Sequence, residues 1–264
     1  MRPLGLGHFT FLALSPADLV RVARASGFDF VGLRFHPAGP AQLHWLPDRA
    51  GLAELSRLMQ GEGIGLYDIE TVVIDAGLKP DSLIPAMDAA AALGGKRVNT
   101  CADRFAGLAD SFARICALAS ARGLGVDIEC MAWRGIDTPQ ACLDLIAQSG
   151  AANAGYLVDA LHHVRCGGTS DAIAAMDPRR IVSAQLCDAP SATPEGTEAR
   201  IAEARGKRML PGQGALPLGD LVRALPDHAV LSVEIPCAAG DRPPVDRARA
   251  IRRATSTLLQ QAGS

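Results

Sequence analysis

The sequence predicts a (β/α)8 TIM barrel, and three observations carry that expectation. Eight short apolar segments read as strands, at 4–11, 28–35, 64–73, 96–101, 124–131, 154–159, 180–187 and 229–236. Helix-like segments lie between most of them, and such alternation implies βαβ units and a parallel sheet. The 264 residues suit one barrel of this kind, which typically takes about 250. No Pro/Ser-rich linker or charge block divides the chain, so residues 1–264 are expected to form a single domain.

The elements follow in order. The segment after Arg2 faintly resembles a secretory signal, but it carries two glycines and a histidine and is needed as the first strand. Ser15-Pro16-Ala17-Asp18 is an N-cap with proline at the first helical position, and Gly27 punctuates the end of that helix. A helix near 48–62 ends before Gly63, and an Ala-rich one near 80–93 is halted by Gly94-Gly95. In 106–122, Leu108, Phe112, Ile115 and Leu118 recur close to helical spacing, with Gly123 beyond. Thr138 and Pro139 open a helix to Gly150, and a terminal helix spans about 243–261. One connection breaks the rhythm: residues 188–215 form a long insert after the seventh strand. Loops of that length are usually functional, and here one would lie over the barrel mouth. A doubly wound sheet is the alternative, but Gly5-Leu6-Gly7 lies within the first strand and no G-x-G-x-x-G turn follows it.

Composition narrows the function. Hydrophobic residues make up 48% and the net charge is −2, so a large core is available and no basic face for nucleic acid is implied. Aromatics are only 4%, too few for a base-stacking surface. Seven cysteines occur without a Cys-x-x-Cys pair, several inside apolar runs, as in a reduced, cytoplasmic chain. No apolar run reaches the roughly 18 residues of a membrane span. There is no Walker loop and no Gly-x-Ser-x-Gly elbow, which argues against NTPases and serine hydrolases. The expected partner is a small-molecule substrate, with room for a homo-oligomer.

Four late strands each end on a metal-competent side chain: Glu129, Asp159, Gln185 and Glu234. Separate strands bringing oxygen ligands to one end is how a parallel barrel builds an active site. Three carboxylates and an amide oxygen suit one hard or borderline divalent ion, with Mn, Mg, Co and Zn as candidates. Asp159-Ala-Leu-His162-His163 is the densest polar cluster, and His162 is favoured over His163 as a substrate contact. Asp188 is an alternative ligand to Gln185. Asp68 and Glu70 share one face of the third strand, so Glu70 is a candidate to touch substrate. In the insert, Arg205 and Arg208 are candidates to grip a substrate carboxylate or phosphate.

These residues resemble the sugar phosphate isomerase/epimerase superfamily, the xylose-isomerase-like TIM barrels, over nearly the whole chain. The resemblance implies one divalent metal held by Glu129, Asp159, Gln185 and Glu234. It also implies a substrate contact from His162 of Asp159-Ala-Leu-His162. Gln185 departs from the commoner histidine and shifts the resemblance toward inosose-dehydratase-like members; dehydroshikimate dehydratases share the superfamily. The implied activity is metal-dependent isomerisation or epimerisation in carbohydrate metabolism, with Glu129 and Glu234 as base and acid. A lyase that dehydrates by the same first step is the alternative, and a non-catalytic metabolite-binding barrel is the second. Endonuclease IV, with its His-rich trinuclear zinc site, matches poorly.

Overall fold

Each of the eight apolar runs becomes a strand: β1 (Leu4–Leu6), β2 (Phe30–Leu33), β3 (Gly65–Ile74), β4 (Arg97–Ala102), β5 (Gly125–Ile128), β6 (Ala154–Asp159), β7 (Ile181–Leu186) and β8 (Val230–Val233). In the computed structural model, which describes residues 2–39, 42–236 and 242–263, these strands pair in parallel in chain order and β8 closes on β1. Cys237 lies outside the described residues. The other six cysteines are free thiols, and all but the half-buried Cys166 are buried.

The first strand is shorter than the expected 4–11. After Leu6 the chain turns into a 3-10 helix at His8–Phe11. His8 draws it in: its Nε2 bonds to the Leu14 carbonyl at 3.0 Å, while its Nδ1 accepts the Arg34 N–H at 2.9 Å. The strand expected over 124–131 stops at Ile128, but Glu129 N still reaches the Thr100 carbonyl at 2.9 Å, so Glu129 leaves the ladder under control.

The helices form where their caps predict. α1 (Pro16–Ser26) starts on the Ser15 hydroxyl, which accepts from Asp18 N. It ends on Gly27 at φ 79°, a left-handed conformation that costs glycine least. α2 (Arg49–Glu62), α3 (Ile84–Ala92), α4 (Leu108–Ser120), α5 (Pro139–Ser149) and, at the C-terminus, α10 (Pro244–Ala262) match the expected segments within a few residues. Between them come α6 (Ala160–Arg165), α7 (Ser170–Ala175), α8 (Thr197–Gly206) and α9 (Leu218–Ala224), which are short and lack a long apolar period. The insert therefore contains a helix, α8. Its loop is organised by Asp188, whose carboxylate accepts N–H bonds from Ala189, Gly212, Gly214 and Leu216 at 2.9–3.0 Å.

The apolar core lies between sheet and helices, where Leu6, Val31, Val126, Val158 and Val233 are all buried. The barrel interior is different. Alternation along the strands turns Asp127, Ser183 and Asp68 inward, and these three are buried in polar contacts. Asp127 accepts from Arg97 Nε at 3.0 Å and from Ser183 Oγ at 2.5 Å, and Arg97 Nη2 adds a second, tighter contact. Asn99 donates to Asp68 at 3.0 Å. Gly32 leaves room for this layer: a Cβ there would stand 2.2 Å from Asp68 Oδ1 and 3.1 Å from Glu70 Oε2. One residue further along the same strand faces, the next layer up is the mouth.

Candidate metal and substrate site

Asp159 ends β6, Glu129 and Glu234 immediately follow β5 and β8, Gln185 is the penultimate residue of β7, and all are at most 5% exposed. They share strand faces with inward residues one step below: Glu129 with Asp127, and Gln185 with Ser183. Ligand-competent atoms of Glu129, Asp159 and His162 lie within 4.8 Å of one another. Glu129 Oε2 is buried with no hydrogen-bond partner. Gln185 is 2% exposed. An orphaned carboxylate oxygen beside two further oxygen and nitrogen donors fits a divalent cation.

His162 is placed by the capping geometry of Asp159, whose Oδ1 accepts the His162 N–H at 2.9 Å. Its ring packs edge-on against Trp133, with centroids 5.1 Å apart. His163 turns away into the core. Its Nδ1 pairs with the Tyr156 hydroxyl at 2.8 Å and its Nε2 with the Thr169 carbonyl at 3.1 Å, a structural role.

Arg208 is more deeply involved than a loop cation would be. It is 5% exposed and follows α8 into the mouth. Nη1 lies 2.6 Å from Asp159 Oδ2, Nη2 lies 3.1 Å from Glu234 Oε2, and Nη2 also lies 3.2 Å from His162 Nε2. Its guanidinium is thus engaged by the same acids that were expected to bind metal. Arg205, by contrast, is exposed at the rim of the pocket. Glu70 is 1% exposed and accepts the Phe9 N–H at 2.6 Å, with Oε2 left unpartnered. Asp188 is fully occupied by its loop amides, so its oxygens are not directed at the cluster.

The electrostatics follow the burial. Desolvation, reinforced by Asp159 and Glu234, pushes the Glu129 carboxyl well above the ordinary range. Desolvation raises Glu234 to about 8 although Arg208 opposes it, and Glu70 to about 7, where Asp68 adds to the effect. Asp159 goes the other way. Burial opposes its ionisation, but Arg208, His162 and the His162 amide outweigh it and hold the carboxyl low. Burial keeps the His162 ring below its usual value.

Sequence reasoning missed Arg34. It lines the same pocket from the end of β2, at 3% exposure. The signal was present: like the four acidic and amide residues, it is a polar side chain directly after an apolar run, Phe-Val-Gly-Leu.

Known proteins share this architecture. A protein described as a xylose isomerase-like TIM barrel/4-hydroxyphenylpyruvate dioxygenase fusion superposes with a TM-score of 0.81 at 22% identity, covering 99% of this chain and 43% of that one. A xylose isomerase domain protein from Alicyclobacillus acidocaldarius superposes at 0.79 and 21% identity over 100% of both chains. Over 112 residues, 42% of this chain and 17% of the relative, the sequence is 32% identical to the 3-dehydroshikimate dehydratase of Pseudomonas aeruginosa. The chain therefore spans under half the length of the two longer proteins. Residues 20–258 match the family described as xylose isomerase-like TIM barrel, and the chain belongs to that family.

Proposed function

We propose that this chain is a divalent-metal-dependent enzyme that removes a proton from the carbon beside a carbonyl in a small polyhydroxylated compound. The observation that carries this reading is the buried, unpartnered Glu129 Oε2 within a cluster of donors at the barrel mouth. Glu129, Asp159, Gln185 and Glu234 would hold the cation. When bound, it supplies Lewis acidity that makes a neighbouring C–H acidic.

The rest is the work of this chain's own residues. Glu129 and Glu234 leave strands on different sides of the mouth, and one takes the proton while the other returns one. In the metal-free protein burial raises both carboxyls above the ordinary range. His162 orients a substrate oxygen, and Trp133 at its edge excludes water. Return of the proton to the adjacent carbon isomerises the substrate, and return to the other face of the same carbon epimerises it. Loss of a β-hydroxyl after the same first step dehydrates it. That second reading is favoured by the 32% match to a dehydroshikimate dehydratase.

A panel of keto-sugars, inososes and dehydroshikimate, incubated with Mn²⁺ in D₂O and followed by NMR, tests the reading. The true substrate should gain deuterium at its α-carbon. Bound metal with no exchange and no turnover on any compound would instead make the chain a metabolite-binding barrel.

A further inference from the structure

One charge in the pocket has no hydrogen-bond or ion-pair partner among the described residues. Arg34 is 3% exposed, yet its guanidinium makes no hydrogen bond or ion pair among the described residues, and its Nε is buried and unsatisfied. The other deeply buried arginines are not left this way. Arg208 is bonded to Asp159 and Glu234, and Arg165 forks onto Glu203 with contacts of 2.7 and 2.9 Å. A buried charge is expensive without a counter-ion, so an unpaired one at a ligand pocket points to an anion that the chain does not supply.

The local structure holds Arg34 in readiness. Its amide is fixed by His8 Nδ1, which can accept because the ring is neutral and its Nε2–H is spent on Leu14. Burial pushes the His8 pKa down to about 4, so that acceptor persists at neutral pH. The Phe9 ring covers one face of the guanidinium, with Cζ 4.7 Å from the ring centroid. A stacked guanidinium keeps its in-plane N–H donors for a second group.

We propose that Arg34 is a specificity residue that receives a carboxylate of the substrate, and that the substrate is accordingly a hydroxylated carbonyl compound bearing a carboxylate. The proposal rests on the function proposed above, in that the same pocket must seat the reacting carbonyl. A carboxylate suits the site better than a phosphate. One guanidinium matches one carboxylate by its planar fork, whereas a phosphate dianion would bring a second negative charge into a pocket that Glu129 and Glu234 already line. The bland alternative is that Arg34 only offsets the nearby charges of Glu70 and Glu234, both of which feel it.

Two probes separate these possibilities. Catechol can chelate a metal through adjacent hydroxyls, and 3,4-dihydroxybenzoate adds only a carboxylate. Both are titrated calorimetrically into the Mn²⁺-loaded protein. The wild type should bind the benzoate at least about tenfold more tightly, the scale of one charge-assisted contact. Arg34→Leu should erase that preference and leave catechol within about twofold, and Arg34→Lys should restore it only partly because the fork is gone. Equal loss of both probes in Arg34→Leu would make Arg34 a structural counter-charge and overturn the proposal. So would a preference that survives the substitution. Tighter binding of ribulose 5-phosphate than of the benzoate, lost in Arg34→Leu, would overturn the carboxylate assignment in favour of phosphate. Failure of catechol to bind in the presence of Mn²⁺ would instead strike the metal reading, and the proposal with it. Circular dichroism and thermal melting on each variant distinguish misfolding from lost recognition.

Discussion

The two polar layers inside this barrel are built from the same residue types and treated in opposite ways. In the lower layer, Asp127 is saturated by Arg97 and Ser183, and Asp68 holds Asn99. In the upper layer, Glu129, Glu70 and Arg34 each keep a buried polar atom with no partner. A charge whose partners are all in the chain serves the fold, and one that is left open is available to a ligand. The comparison is imperfect in both layers: Asp68 Oδ1 and Asn99 Oδ1 are also unpartnered below, and Arg208 and Asp159 are paired above.

The largest test of the contrast falls on the lower layer. Asp127→Ala leaves Arg97 without its counter-ion, and breaking a buried pair costs about 3–5 kcal/mol. Urea unfolding should register that loss, while any folded fraction should still bind Mn²⁺ as the wild type is expected to. An Asp127 variant of undiminished stability would show that this pair does not hold the fold.

The upper layer should respond in activity instead. Glu129→Gln and Glu234→Gln should each slow α-proton exchange by at least about a hundredfold, the lower end for a positioned acid–base group. The two effects should not add, because both act on one proton path. In the metal-free protein the melting temperature of Glu129→Gln should hold or rise, since a neutral amide replaces a carboxyl that burial disfavours as a charge and that has no ion-pair partner among the described residues. A severe loss of stability would erase the distinction between the layers.

Arg208 sharpens the boundary. Arg208→Ala removes the cation that Asp159 and Glu234 share, so the metal-free protein should lose about 3 kcal/mol or more. Added Mn²⁺ should recover much of it, because a ligand that binds only the folded state stabilises that state. No recovery on adding the ion would mean that Arg208 is needed for more than charge.

The smallest expected effect is on pH. Glu70 and Asp68 titrate near 7 in the folded protein, raised mainly by burial, against about 4 for free carboxyls. Between those values the unfolded chain has released its protons and the folded chain retains them. Stability of the metal-free protein should therefore fall as pH rises from about 4 to about 7. Glu70→Gln should flatten part of that slope, as read by melting temperature across the range.

Much of this was legible in the chain itself. Eight strands, the Ser15 and Thr138 caps and the buried polar residues at the ends of the last four strands follow from apolar runs and punctuation, which are local signals. The insert was less legible. Asp188 reads as a spare ligand until its four amide contacts are seen, and those come from residues up to 28 positions away. Arg208 reads as a surface grip because nothing in Gly-Lys-Arg-Met tells that α8 carries it inward. Arg34 follows its strand much as the others do, but a guanidinium is not a metal donor, so a metal-ligand pattern passes over it. Pairing, the property that separates the two layers, is a three-dimensional fact that no single segment encodes.

The claim that the upper-layer acids at the strand ends form the metal site is tested most directly by titrating Mn²⁺ into wild-type protein, Asp159→Ala and Asp127→Asn, with metal content and melting temperature measured together. About one ion per chain should bind to the wild type and to Asp127→Asn and raise their melting temperatures, while Asp159→Ala should lose most of the metal and the shift. Full occupancy in Asp159→Ala, or loss of metal confined to Asp127→Asn, would contradict the account.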